Sequence, residues 1–199
     1  MKEMKIEVTF MEEVLGMSPA DADVYNAFIA SKAPDAMSTA EEVEALGVEA
    51  VQEKGTTIFP RTADGKPFFY DYQIKGFFKD TVGMMRRVPG SACSKVKAFK
   101  KEIDGLLFVK ERQIPISIDG EIGCCQRPLR TDGPTGSRTA LASSETVPAG
   151  SRMTFTLKLL RDDMETWVRE CLDYGELRGM GQWRNSGKGR FTWTEIAEA

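Results

Sequence analysis

The run MTFTLKLLRDDMETWVRECL, residues 153–172, changes its period halfway along, and that change decides the fold class. Met153, Phe155, Leu157 and Leu159 alternate with polar residues, the two-residue period of a half-buried strand. Asp162 or Asp163 then suits a helix N-cap, and Met164, Trp167, Val168, Cys171 and Leu172 recur at i, i+3, i+4, i+7 and i+8. That stripe predicts a helix over 162–174, stopping near Gly175.

The same two periods recur on either side. Upstream, Ile6, Val8 and Phe10 alternate with Lys5, Glu7 and Thr9 as a first strand. Ile74, Phe77, Phe78, Val82 and Met85 give residues 72–87 one apolar helical face, with Lys75, Lys79 and Arg86 on the other side, ended by Val88-Pro89-Gly90. A basic helix, SKVKAFKKEID, leads into a strand in which Ile114, Ile116 and Ile118 alternate, and Gly120 turns the chain back. Phe191 and Trp193 share one face of a last strand. Strand, helix, strand, strand, helix, strand is the β-α-β-β-α-β order of an α+β, ferredoxin-like (RRM-like) sheet. Both helices are expected on one face, with Ile74, Phe77, Phe78, Trp167, Val168 and Leu172 buried together.

Three stretches fall outside this frame. Residues 18–54 hold two helix-like pieces rich in acid and read as an insertion or lid. TTIFPRTADGKPFF reads as two short extended pieces around an Asp64-Gly65 turn. Residues 131–151, rich in Gly, Pro, Ser and Thr, read as a long hairpin arm outside the core. The 199 residues fit one domain, 1–199, carrying these additions.

Composition narrows the function classes. Histidine is absent, which removes the commonest general base near neutral pH and every Ser-His or Cys-His nucleophile pair. The four cysteines, Cys93, Cys124, Cys125 and Cys171, have no CxxC spacing and read as reduced, mostly buried thiols. A non-enzyme without cofactor or metal is therefore expected. No apolar run approaches a membrane span, and MKEMKIEVTF lacks a signal peptide's apolar stretch, so a cytoplasmic place is expected. Net charge is -3, but it is segregated. Residues 1–54 carry four basic and twelve acidic residues, a balance of -8, whereas residues 75–112 carry ten and four, a balance of +6. Residues 177–194 hold Arg178, Arg184, Lys188 and Arg190 and no acid. Clustered cations among glycines suit phosphate, because glycine lets the backbone approach closely.

Three segments carry a resemblance. GKPFFYDYQIKGFFKDTVGMM contains Gln73, Ile74, Lys75 and Gly76 at the opening of a helix; SSETVPAGSRMTFTL joins the arm to the next strand; GMGQWRNSGKGRF spaces Gly179, Gly181, Gly187 and Gly189. In this order, over about a third of the chain, they resemble the RAMP (repeat-associated mysterious protein) superfamily, and particularly the backbone subunits of CRISPR effector complexes. The resemblance implies a single-stranded or guide RNA as partner, held at Gln73, Lys75, Gly76 and Lys79 and along the loop from Arg178 to Arg190. It also implies a thumb-like arm at 131–151 and self-association into a filament or docking on an effector complex. The Pro-Gly-Ser usual before the helix is here Tyr70, Asp71 and Tyr72. Nuclease-active members carry an early loop aspartate, and Asp35 lies only within the acidic insertion. The chain also resembles uncharacterised proteins of tailed phages and prophages, which raises an alternative reading, an anti-defence protein that mimics a backbone subunit or binds an effector complex.

Each candidate has a plainer explanation. Glycine-rich loops often only make tight turns, Lys75 and Lys79 fit a solvated helix face, and Trp183 suits a core edge as well as a stacked base.

Overall fold

The computed structural model describes residues 1–19, 56–133 and 136–197. The expected acidic insertion, with Asp35, falls almost wholly outside these residues. Among the described residues the chain is a mixed α+β structure with two sheets, antiparallel apart from one parallel pairing.

The larger sheet grows around β1 (Lys2–Phe10). Its alternation puts Met4, Ile6, Val8 and Phe10 on the buried face. The strand read first from the sequence, β10 (Arg152–Leu159), lies antiparallel beside it, with Met4 opposite Leu157, Ile6 opposite Phe155 and Val8 opposite Met153, so one apolar face is continuous. The sheet order is β11 (Phe191–Ile196), β1, β10, β7 (Gln113–Ser117) and β5 (Phe68–Tyr70), while β6 (Leu107–Val109) also pairs with β10. Helices α1 (Asp71–Met85), α2 (Phe99–Leu106) and α3 (Met164–Asp173) cover it. α1 and α3 touch, and Ile74, Phe77, Phe78, Trp167, Val168 and Leu172 belong to one core, as their periodicity predicted. Fully burying such side chains stabilises by about 1.5–3 kcal/mol each.

A second sheet was not foreseen. It runs β2 (Val14–Leu15), β9 (Gly136–Val147), β4 (Thr56–Ile58), β3 (Ser18–Pro19), and β8 (Gly123–Gly133) pairs with β9. The hairpin thus starts at Gly123, earlier than the composition of 131–151 indicated, and its base is not a free arm. Val147 is fully buried, and Ser143, Ser144 and Thr146 are buried through contacts with β2 and β4. From Ala142 outward, β9 pairs among the described residues only with β8. The two pieces around Asp64-Gly65 do form β4 and β5, but in different sheets.

The cysteines divide. Cys93 and Cys171 are buried with sulfurs 3.7 Å apart, and burial with the neighbouring thiol pushes Cys171 well above its ordinary pKa. Cys124, expected among mostly buried thiols, is exposed at the hairpin base, and all four are free. No helix among the described residues is long and apolar enough to cross a membrane.

Candidate nucleic-acid interface

The segment between α3 and β11 is built by a short helix α4 (Gly175–Arg178), then a loop closed on itself by backbone hydrogen bonds. The Met180 amide donates to the Gly189 carbonyl (2.9 Å), and the Gly189 amide donates to the Glu13 carbonyl (2.9 Å). This pins the loop to the residues that follow β1.

Its four glycines do different jobs. A Cβ on Gly179 would sit 2.6 Å from the Gly189 carbonyl carbon, and one on Gly189 would sit 1.9 Å from the Met180 carbonyl oxygen. Both have positive φ, 69° and 70°. These two glycines therefore let the backbone cross itself, a packing role that their spacing in the sequence does not distinguish from the phosphate role expected of all four. Gly187 and Gly181 also have positive φ but meet nothing closer than 3.8 and 3.5 Å, so space beside them is open.

The loop faces the start of α1. Gln73, Gly76 and Asp80 lie on one helical stripe, at i, i+3 and i+7. Gln73 turns back to accept from the Tyr70 amide (2.8 Å), capping the helix. Together with Gly76, Gly181 and Arg184 it lines a cavity of about 210 Å3. The Gly76 position is informative: a Cβ there would meet nothing within 4 Å. A mid-helix glycine costs about 0.5–1 kcal/mol relative to alanine, and no packing asks for it here.

The cations are distributed unevenly. Asp80 accepts from both Arg184 (2.7 Å) and Arg178 (3.0 Å), whose other arm reaches Asn185 (2.7 Å). One carboxylate thus serves two guanidiniums. Lys188 pairs with Glu13, which raises the lysine's pKa. Arg190 donates to the Glu176 carbonyl (2.5 Å). Arg127, on β8, is buried with its guanidinium carbon 4.7 Å over the Trp183 ring, and it bonds Gln182 (3.1 Å) and Ser144 (3.4 Å) while its Nε has no partner. Among the described residues no carboxylate pairs with Arg127 or Arg190. Five cations therefore meet two paired carboxylates, Asp80 and Glu13, and a buried charge without an acid is costly unless an anion completes it.

Lys75 and Lys79 do not join this group. Lys79 sits about a quarter-turn and Lys75 more than a third of a turn from the Gln73 stripe, and both turn to α2 and β6, Lys75 bonding the Asp104 carbonyl (3.3 Å) over the Phe108 ring and Lys79 pairing with the Asp104 carboxylate (2.5 Å). The expected single groove through Lys75 is thus divided: of the four residues expected on α1, Gln73 and Gly76 line the cavity with the loop, whereas Lys75 and Lys79 face α2 and β6. Sequence reasoning missed Asp80, although its helical spacing from Gln73 and Gly76 was a usable signal. It also missed Arg127, for which no local pattern exists. Trp183 is 38% exposed and has φ 56°, a left-handed conformation that costs a non-glycine residue roughly 1–2 kcal/mol. No group of three or more His, Cys, Asp or Glu is placed to hold a metal ion among the described residues.

No family model matches the chain, and no curated protein matches its sequence. Solved structures do match. A chain of the Type III-B Cmr-beta complex bound to cognate target RNA aligns with a TM-score of 0.58 at 12% identity, over 98% of this chain and 60% of that one. A chain of a Type IV-B CRISPR complex aligns with a TM-score of 0.50 at 13% identity, over 100% of this chain and 92% of that one. The chain thus spans 60% of the first neighbour's length, and at these identities the likeness is one of fold: it is shared with chains of CRISPR effector complexes.

Proposed function

We propose that the protein is a non-catalytic, single-stranded RNA-binding subunit with a ferredoxin-like core of the RAMP kind, holding its strand in the groove between α1 and the glycine-rich loop. Supporting the core assignment, β1, α1, β7, β10, α3 and β11 follow one another as strand, helix, strand, strand, helix, strand, with β1 and β10 central. The observation that carries the function is Gly76: a helix-weakening residue with no packing role, facing a cavity shared with Gly181 and Arg184. A backbone left bare beside cations is what close approach of a phosphate chain requires. Gln73, Gly76, Arg178, Gly181, Arg184 and Arg190 are the contacts proposed, with Gly179, Gly187, Lys188 and Gly189 shaping the loop that presents them.

Three phosphate contacts, from Arg178, Arg184 and Arg190, imply that log K falls with log salt at a slope near -2. Filter binding of a 12-nucleotide RNA over a salt series tests this. Arg184→Ala should weaken binding about tenfold and flatten the slope, whereas Lys75→Ala should change affinity less than about twofold. A salt-independent affinity, or equal losses in the two variants, is the result that refutes the reading.

A further inference from the structure

Beside the 210 Å3 cavity lies a second, of about 390 Å3, lined by Arg178, Gly181, Gln182, Trp183, Arg184 and Asn185. Its size is within the roughly 300–1,000 Å3 range of small-ligand sites. We propose that this cavity is a single-nucleotide subsite, in which one base of the bound strand stacks on the Trp183 indole while Arg178 and Arg184 hold the adjoining phosphate. The proposal rests on the RNA-binding reading above and specifies where a base, as distinct from the backbone, is engaged.

Three observations converge on it. Trp183 is the only non-glycine residue with positive φ among the described residues, in a loop that places glycine at its other left-handed positions. The backbone alone would be better served by glycine there, so the indole is retained for its side chain. Next, Arg127 holds that ring in place. It is 7% exposed, lies 4.7 Å from the ring centre, and is itself anchored by Gln182 and Ser144. Trp183 remains 38% exposed and lines the cavity, so the ring offers the cavity the surface that Arg127 leaves uncovered. A platform already ordered loses little freedom when a base settles on it.

The phosphate half follows from Asp80. Two guanidiniums share its Oδ2, at 2.7 and 3.0 Å, so among the described residues one positive charge is left without an acid. Both line the same cavity as the ring. Guanidinium forks suit phosphate oxygens bidentately, and a base on an indole contributes through its π-face irrespective of its identity. The subsite should therefore prefer any base over none, with little preference among bases.

The test compares fluorescence anisotropy of labelled 12-nucleotide oligoadenylate with that of an abasic 12-mer on the full chain. The wild type should bind oligoadenylate about 5- to 150-fold more tightly than the abasic strand, the range for one stacked base. Trp183→Gly should abolish that preference while leaving abasic binding and the salt slope unchanged. Glycine suits φ 56°, so this variant keeps the loop backbone, and Trp183→Phe, which retains a ring, should keep most of the preference. Arg184→Gln should weaken both strands alike. If wild type binds the two strands equally, or Trp183→Gly retains the preference, the subsite is refuted while the phosphate-binding reading stands. If neither strand binds, both fall.

Discussion

Gly189→Ala and Gly76→Ala are the same chemical change, and the structure assigns them opposite signs. At Gly189 the new methyl would lie 1.9 Å from the Met180 carbonyl oxygen, inside contact distance by more than 1 Å, on a backbone with φ 70°. The left-handed conformation costs roughly 1–2 kcal/mol for a side-chain-bearing residue. Separating the crossing strands enough to fit the methyl also breaks the Met180–Gly189 hydrogen bond of 2.9 Å, a further loss of about 1–2 kcal/mol. The total, roughly 2–4 kcal/mol, lowers Tm by about 4–16 °C for a chain of this size. At Gly76 the methyl meets nothing within 4 Å. Replacing helix-interior glycine there should stabilise by about 0.5–1 kcal/mol and raise Tm by about 1–4 °C. RNA affinity should fall for Gly76→Ala despite the gain in stability, a separation expected only where glycine serves binding. Thermal melts followed by circular dichroism, with filter binding on the same samples, decide it. A Gly189→Ala protein as stable as wild type, or a Gly76→Ala protein that melts lower, would refute the division of the glycines.

Asp80→Asn should tighten RNA binding about 3- to 10-fold at low salt, because it frees Arg178 and Arg184 from a competing carboxylate; filter binding reads the change, and weaker binding would contradict it. With no histidine in the chain, Tm should be flat between about pH 6 and 8. It should fall in acid, since hydrogen bonds from Lys2 and Arg169 hold Glu165 below its ordinary value of 4.5; a depressed carboxylate stabilises above that value and loses its contribution as pH drops through the lower, folded-state pKa. A thiol reagent added to the native protein should modify Cys124 quickly, whereas Cys93 and Cys171 should react only after denaturation, as mass spectrometry of the labelled peptides would report.

What could be read from the sequence follows from how local each interaction is. β1, β10, α1 and α3 announce themselves because every residue in the pattern touches the same core, and periodicity alone carries that information. The glycine-rich loop and the opening of α1 were recognisable as candidates, and the structure brings Gln73 and Gly76 to the loop. Their division of labour was not legible. Gly179 and Gly189 look like Gly181 and Gly187 in sequence, and only the crossing of the backbone separates them. The resemblance implies Lys75 in the groove together with Gly76, but adjacent helical residues point about 100° apart, and α2 supplies Asp104 on the other side. The second sheet stayed hidden for a related reason: β2, β3 and β4 are two or three residues long, too short for any period to register.

Arg127 joins two parts of the molecule that otherwise look independent. Its backbone belongs to the hairpin, and its guanidinium rests on the tryptophan of the glycine-rich loop. From Arg127 to Gly133 the strand extends six residues, about 20 Å at 3.4 Å each, as a ribbon held at one end. The contact between the ribbon and the loop is thus concentrated at one buried side chain, Arg127, which rests on Trp183 and bonds Gln182.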